Sequence, residues 1–157
     1  RLTWVGQAHL ESLLKQNLVP VLYGDVLFHE PFNVSILSGD AIIERLCKQL
    51  QKTDRFRVSS VVFCFDKPGF LNQNGQVVST YAFSSLKVSN RSNGKAGEEI
   101  KEKVIDVTGG MRAKLSTIER LLQTNVEVSL LDGTHNDNLL KALTQKNYEG
   151  TQFTLGE

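Results

Sequence analysis

The chain has 157 residues, of which 40% are hydrophobic, and this composition predicts one globular domain over residues 1–157 with a buried core. Its 18 basic and 17 acidic residues give a formal net charge of +1, so no bulk field attracts nucleic acid or an anionic membrane. No run approaches the roughly 18 apolar residues of a membrane span, and no signal-peptide pattern opens the chain. We therefore expect a soluble, cytoplasmic protein that binds neither nucleic acid nor membrane.

The first half of the chain alternates helix-like and strand-like patterns. Apolar spacing predicts, in chain order, a helix over about 3–16, strands over 18–23 and 34–37, a helix over 41–52 and a strand over 58–65. Asn17 is expected to end the first helix in a left-handed conformation, and Asp40 is expected to be the N-cap of the second. The continuously apolar run 18–23 predicts a buried strand that ends at Gly24 and Asp25.

The second half begins with a weaker pattern. Residues 72–97 are rich in Asn, Ser and Gly, which favours a surface hairpin around 76–80 and a mobile loop over 88–98. The remaining elements are predicted to be a helix from 108 to about 123, a strand over 126–131, a helix over 136–146 and a strand over 151–155. This alternation predicts an α/β fold, a three-layer αβα sandwich with a mainly parallel sheet.

The two cysteines lie in apolar surroundings. Cys47 is in a helical pattern and Cys64 is in a strand-like run, and no C-x-x-C pair indicates a metal or redox site. The spacing of the three histidines is also not typical of metal ligands. We predict two buried free thiols in a reducing compartment, and no cysteine or histidine is identified as a metal ligand.

Four predicted loops combine glycine with aspartate or a second glycine at the carboxyl ends of strands, where open parallel sheets collect their ligands. They contain Gly24 and Asp25, then Ser38, Gly39 and Asp40, then Asp66 and Gly69, and finally Asp106, Thr108, Gly109 and Gly110. Each pair alone is also what an ordinary turn or cap contains. Their expected position on one edge favours a ligand site, and glycines before a helix N-terminus are typical of phosphate binding.

Two cations follow the last of these loops. Arg112 and Lys114 stand near the start of a predicted helix, where a positive charge opposes the macrodipole by roughly 0.3–1 kcal/mol unless an anion lies nearby. Phosphoryl transfer needs positive charge on the transferring group and a carboxylate that orients that charge or holds magnesium. Lys114 and Asp40 could have these roles, although a solvated lysine is the simpler alternative. The P-loop and Rossmann motifs are both absent from the sequence.

Four stretches resemble isopentenyl phosphate kinases in order and spacing, namely 19–26, 36–40, 61–69 and 106–115. The Thr-Gly-Gly-Met-x-x-Lys stretch over 108–114 resembles the amino acid kinase superfamily generally, including glutamate 5-kinase, acetylglutamate kinase and UMP kinase. The resemblance implies an amino acid kinase-like fold, of which this chain is the C-terminal, nucleotide-binding part. The N-terminal part of such a kinase, with its Lys-x-Gly-Gly-Ser loop and substrate histidine, has no match here.

The same resemblance implies an activity and a set of site residues. The reaction is transfer of the γ-phosphoryl group of ATP, with Mg²⁺, to a small phosphate substrate, isopentenyl phosphate, and the family is commonly homodimeric. Lys114 would neutralise the transferred group and Asp40 would orient the lysines. The implied ATP contacts are Asp66, Gly69, Thr108, Gly109, Gly110 and Lys114, and the implied substrate contacts are Gly24, Asp25, Ser38 and Gly39.

Three alternatives remain open at the level of sequence. The chain could come from another kinase of the superfamily with a different acceptor. It could be a truncated, non-catalytic chain that keeps the fold and binds only nucleotide or a partner. It could also be a Gly/Asp-rich binding module without kinase ancestry, for which Lys114 would have no role.

Overall fold

The computed structural model describes residues 6–30, 33–53, 55–72, 74–83, 109–144 and 147–156. Its elements are, in chain order, α1 (Gln7–Lys15), β1 (Asp25–His29), β2 (Asn33–Leu37), α2 (Gly39–Leu50), β3 (Ser60–Phe65), β4 (Thr80–Phe83), α3 (Gly109–Leu122), β5 (Glu127–Asp132), α4 (Asn138–Thr144) and β6 (Gly150–Leu155). The contacts divide the chain into a first unit over 1–43 and a second unit over 44–157. Each unit is described by itself.

The first helix ends as the sequence predicts. Asn17 has a φ of 57°, in the left-handed region, directly after α1. The backbone N–H of Leu18 donates to the carbonyl of Leu13 at 3.1 Å, and that of Asn17 donates to the carbonyl of Leu14 at 3.0 Å. These bonds satisfy carbonyls that the last turn of a helix leaves without partners, which confirms Asn17 as the stop.

The apolar run 18–23 does not form the predicted buried strand. Val19, Val21 and Tyr23 are 87%, 86% and 83% exposed, and the first regular strand begins at Asp25 instead. Pro20 has no N–H to donate, and within the described part of the first unit no strand pairs with this run. An apolar sequence becomes a strand only where a neighbouring strand takes up its backbone hydrogen bonds, and none of the described strands does so for this run.

The first unit contains an antiparallel hairpin. Strands β1 and β2 pair from Asp25 opposite Leu37 to His29 opposite Asn33. The start of β1 therefore lies beside the end of β2, at one end of the hairpin. The prediction that Gly24 and Asp25 follow a strand is wrong, because β1 begins at Asp25.

The second unit contains a four-stranded mixed sheet in the order β3-β5-β6-β4. Strands β3 and β5 are parallel, β4 and β6 are parallel, and β5 and β6 are antiparallel. Helices α3 and α4 both pack on the sheet. The predicted α/β class is confirmed, and two of the three strand pairings are parallel.

The core of the second unit lies between α3 and one face of the sheet. Ile118 and Leu121 of α3 are fully buried, as are Val128 and Leu130 of β5. Each such side chain contributes roughly 1.5–3 kcal/mol by leaving water. Leu131, which strand alternation places on the opposite face, is also fully buried. Both faces of β5 are therefore covered, as a three-layer arrangement requires.

Strand β4 was not predicted. Residues 80–83 lie in the region expected to be only a hairpin and a loop, yet they pair in parallel with β6 from Thr80 opposite Gln152 to Phe83 opposite Leu155. A hairpin is present slightly earlier in the chain than predicted, with a bridge between Leu71 and Val77 and a φ of 74° at Gly75. The predicted mobile loop over 88–98 lies outside the described residues.

The two cysteines differ in environment. Cys47 is buried, and its burial raises the pKa of the thiol to about 11. Cys64 is exposed, which corrects the prediction of a second buried thiol. Among the described strands, β3 lies at an end of the sheet, and Cys64 points to the opposite face from Phe63, away from the core. Partial burial still raises the pKa of the Cys64 thiol, so we expect both cysteines to react slowly as nucleophiles near neutral pH.

None of the helices in the described ranges combines the length and the apolar composition needed to cross a membrane.

One ion pair joins the 44–50 part of α2 to α3. The Arg120 guanidinium donates from Nε to Glu44 Oε1 and from Nη2 to Glu44 Oε2, each at 2.9 Å. Lys48 Nζ lies 2.6 Å from the same Oε1. The hydrogen bond from Arg120 holds the pKa of the Glu44 carboxyl below its usual range, against the opposing effect of burial. Both partners retain some exposure, so the pair is a modest but geometrically well-formed contact.

We expect Glu44→Gln to lower the free energy of unfolding by about 1 kcal/mol at pH 7. Because the pKa of Glu44 is lower in the folded state than its ordinary value of 4.5, the stabilisation is complete above that value and is lost as the pH falls through the folded pKa. Urea unfolding of both proteins at pH 7 and at pH 3 measures this difference. An equal difference at the two pH values would show that the carboxylate charge is not its source.

Candidate functional site

The structure brings four predicted substrate-side residues together at one end of the β1–β2 hairpin. A Cβ atom on Gly24 would lie 2.5 Å from the carbonyl oxygen of Leu37, so only glycine allows these two backbones to approach so closely. The register places Asp25 opposite Leu37, which directly precedes Ser38 and Gly39. The convergence was predicted, but it arises from an antiparallel hairpin and not from the carboxyl edge of a parallel sheet.

Helix α2 begins at Gly39, two residues before the start at residue 41 that the sequence predicts. The Ser38 hydroxyl accepts a hydrogen bond from the backbone N–H of Ala41 at 3.2 Å, and the Ser38 carbonyl accepts one from Ile42 at 3.1 Å. Ser38 is therefore the N-cap, which corrects the assignment of that role to Asp40. Asp40 lies inside the first turn, where a carboxylate interacts favourably with the helix dipole.

Two glycines at helix starts have no steric reason to be glycine. A Cβ on Gly39 or on Gly110 would meet nothing within 4 Å, and neither residue has a positive φ. In the described part of the chain, packing and backbone conformation would thus accept an alanine at both positions. Their open surroundings leave the backbone accessible to an anion at the first turn of α2 and of α3.

Gly69, in contrast, is required by the fold. Its φ is 154°, and a Cβ atom would lie 2.8 Å from Val77 Cγ1 and 2.9 Å from Thr151 Oγ1. The same Thr151 hydroxyl accepts a hydrogen bond from the N–H of Phe70 at 2.8 Å and donates to the carbonyl of Val78 at 2.7 Å. Gly69 therefore lets the chain after β3 pack against β6, whether or not nucleotide binds there.

The loop after β3 lies at the edge of the sheet where β3 and β5 both end. The N–H of Gly133, directly after β5, donates to the carbonyl of Phe65 at 2.9 Å. Asp66 follows Phe65 and is exposed. Its predicted contact with nucleotide is sterically open but stays a prediction, as does that of Gly69.

The start of α3 is partly described. Gly109 is the first residue of the helix and Gly110 is exposed, whereas Thr108 and Asp106 lie outside the described residues. The first turn contains no acidic residue. Arg112 falls in this turn, but Lys114 is in the second turn, where the effect of the dipole has largely faded. The dipole argument from the sequence therefore holds for Arg112 alone.

Lys114 contacts an aromatic ring. Its Nζ atom lies 4.9 Å from the centroid of the Phe63 ring, and the lysine is half-buried. Phe63 belongs to β3 and is only 6% exposed. Asp40 belongs to the first unit and Lys114 to the second, so their predicted cooperation stays a prediction.

A polar cleft of about 210 Å³ lies between the loop after β5 and the start of β6. It is lined by His135, Asn138, Lys141, Asn147, Tyr148 and Glu149. The buried Asn138 amide donates to the carbonyl of Glu149 at 2.8 Å and accepts from its N–H at 2.9 Å, which joins two of the segments that line the cleft. Sequence reasoning did not assign a site here, since the lining residues alternate with ordinary turn residues and follow no motif.

The described part of the chain contains no metal site built only from side chains. No group of three His, Cys, Asp or Glu residues comes close enough to hold an ion among the residues that the structure describes. Mg²⁺ in kinases is commonly held by one or two carboxylates together with substrate phosphates, and it needs no cage of protein ligands. The exposed Asp66 and the partly buried Asp40 are carboxylates of the kind that this mode uses.

The sequence is similar to several kinases. It is 28% identical over 148 residues to the isopentenyl phosphate kinase of Methanocaldococcus jannaschii, covering 94% of this chain and 50% of the relative. It is 34% identical over 109 residues to that of Haloferax volcanii, covering 69% and 38%, and 27% identical over 147 residues to that of Arabidopsis thaliana, covering 87% and 44%. The chain thus spans about half the length of the curated relatives that it matches. No protein-family profile matches it.

The fold is similar to the solved structures of an isopentenyl phosphate kinase and of an N-acetylglutamate synthase. An isopentenyl phosphate kinase superposes with a TM-score of 0.66 at 19% identity, over 97% of this chain and 52% of the other. N-acetylglutamate synthase from Neisseria gonorrhoeae superposes with a TM-score of 0.62 at 17% identity, over 95% and 30%. At these identities the superpositions establish the fold alone. They confirm the amino acid kinase fold that the sequence resemblance implies.

Proposed function

Since the chain is a homologue of the isopentenyl phosphate kinases and has the amino acid kinase fold, we propose that the protein transfers the γ-phosphoryl group of ATP to isopentenyl phosphate. The product would be isopentenyl diphosphate, a precursor in isoprenoid biosynthesis. The observation that carries the proposal is the 28% identity to the Methanocaldococcus jannaschii kinase across 94% of the chain. The relatives' names supply the acceptor, and the site geometry supports a phosphate-binding role.

Catalysis in this proposal depends on positioning and charge, because phosphoryl transfer requires little covalent chemistry from the protein. The accessible backbone at Gly110 would bind ATP phosphates at the start of α3, and the backbone at Gly39 would face the phosphate of the acceptor. Lys114 would neutralise the charge that develops on the transferred group. Asp40 would orient the lysine. When bound with ATP, Mg²⁺ would neutralise charge on the phosphates, held by carboxylates such as Asp66 or Asp40.

The test is an acceptor panel for the complete product of this gene. Phosphorylation with ATP and Mg²⁺ would be measured on isopentenyl phosphate, glutamate, acetylglutamate and UMP at equal concentrations. We expect turnover of isopentenyl phosphate, with kcat/KM at least 100-fold above the other acceptors, because a site built to hydrogen-bond one substrate rejects an analogue without the matching group by about 10⁴–10⁵. Removal of Mg²⁺ with a chelator should stop the reaction.

Other outcomes separate the alternatives. Preference for glutamate, acetylglutamate or UMP would keep the kinase assignment and overturn the acceptor. No turnover of any acceptor, combined with measurable ATP binding, would favour a non-catalytic nucleotide-binding protein. Absence of ATP binding would reject the kinase assignment altogether.

A further inference from the structure

The contact between Lys114 and Phe63 joins a flexible cation to a rigid part of the core. Phe63 packs in the cluster of buried residues that also contains Leu130, its register partner on β5, and Ile118 of α3. Met111 and Leu115, which flank Lys114 on α3, pack against the same cluster. The ring is therefore fixed on its buried side by both the sheet and the helix.

A contact between an ammonium group and an aromatic ring can position a lysine for binding phosphate. The face of an aromatic ring attracts an ammonium group within about 6 Å of its centroid, and the measured distance is 4.9 Å. A lysine side chain has a flexible four-carbon stem, so fixing its position before a ligand arrives reduces the entropy lost on binding.

We infer that Phe63 is a positioning residue for Lys114, and that its ring face holds the ammonium where the phosphates of ATP bind. The inference rests on the proposed function, because it requires Lys114 to contact nucleotide. It adds a role for a residue of the apolar interior of β3 that neither the motifs nor the relatives' names assign. Replacement of the ring by an aliphatic side chain should remove this contact with Lys114 while leaving most of the core intact.

The experiment compares the complete gene product with Phe63→Leu and with the matched control Phe153→Leu. Phe153 is 1% exposed in the same core and loses the same ring-to-leucine volume, but it lies on β6. The first readout is lysine side-chain NMR after isotopic dimethylation, with Lys114→Ala used to assign the Lys114 signal. The second is the Kd for ATP, measured by calorimetry at a temperature where urea titrations show every variant folded.

We expect an upfield ring-current shift of the Lys114 signal that Phe63→Leu abolishes and Phe153→Leu retains. The Kd for ATP should rise about two- to fivefold in Phe63→Leu, as for a cation–π contact at a partly exposed site, and should change less than that in Phe153→Leu. A Lys114 signal without a ring-current shift in the wild type would overturn the contact. An unchanged Kd in Phe63→Leu, with the shift lost, would overturn the positioning role.

The design also separates failure of the inference from failure of the proposed function. If the wild type does not bind ATP, the proposed function and the positioning role of Phe63 are both rejected. The NMR signal then reports only whether Lys114 and Phe63 are in contact. If ATP binds and Lys114→Ala binds it equally well, Lys114 is not a nucleotide contact and Phe63 has nothing to position. Equal ATP binding by the wild type and Phe63→Leu, with weaker binding by Lys114→Ala, overturns only the inference.

Discussion

Lys114→Ala is expected to lower kcat for phosphoryl transfer by about 10²–10³, the range seen when one preorganised charge-stabilising group is removed from a transition state. Lys114 is the cation that the motif over 108–114 and the geometry of α3 both bring near the glycine-rich helix start. The transferring group is already negatively charged in ATP, and this charge is redistributed in the transition state, so we expect a large fall in kcat and a smaller rise in KM for ATP. Steady-state kinetics with the acceptor that the panel identifies measures both.

The control is Lys52→Ala, which removes one exposed lysine from the second unit at the end of α2 and should leave kcat within twofold. Lys114→Arg adds a further comparison, because it keeps the positive charge but replaces a compact ammonium with a planar guanidinium. We expect this variant to recover only part of the activity. A loss of less than tenfold in Lys114→Ala would mean that another group carries the charge stabilisation.

The parts of the fold that the sequence predicted well are those with strong local signals. The apolar stripe of α3 and the continuous apolar runs of β3 and β5 specify their own elements, and the structure places all three within about two residues of the expected bounds. Asn17 likewise carries its conformational preference in its own side chain. Such features need no knowledge of distant residues.

The errors have non-local causes. The run 18–23 is as apolar as a buried strand, but a strand also requires a neighbour, and no strand in the described part of the first unit pairs with it. For strand β4 the local signal is weak but the neighbouring strand is present. Its four residues give a weak local pattern, and pairing with β6 makes them a strand. Cys64 was misplaced for a similar reason, since its exposure depends on the position of β3 at the end of the sheet.

The candidate site also contains features that the sequence could predict and features that it could not. The motif identified Gly110 and Lys114, and the open space around Gly110 is compatible with the role that the motif implies. Sequence could not separate a glycine that leaves room for a ligand from one that the fold requires, and Gly69 belongs to the second kind. The contact between Phe63 and Lys114 could not be foreseen either, because 51 positions in the chain separate two residues that meet only when α3 packs on β3.

Phe153→Ala is expected to be the most destabilising of the substitutions considered, lowering the free energy of unfolding by about 3–5 kcal/mol. Phe153 is 1% exposed, and its ring centroid lies 5.8 Å from that of Tyr81, 6.0 Å from that of Phe83 and 6.2 Å from that of Phe70. These rings belong to β4 and to the segment after Gly69, so one side chain ties together β6, β4 and the loop after β3. Truncation to alanine would leave a cavity that fixed strands cannot close.

The matched control lies two residues further along the same strand. Leu155 is 48% exposed, so Leu155→Ala removes apolar carbon from the same strand without opening a buried cavity, and we expect it to cost less than about 1 kcal/mol. Urea unfolding of the complete gene product and of both variants, monitored by far-UV circular dichroism, measures the difference. Since whole domains are stable by only about 5–15 kcal/mol, Phe153→Ala could lose its cooperative transition entirely, and that result would also agree with the expected role. Equal losses in the two variants would mean that the aromatic cluster contributes little and that the region around Gly69 is held mainly by the hydrogen bonds of Thr151.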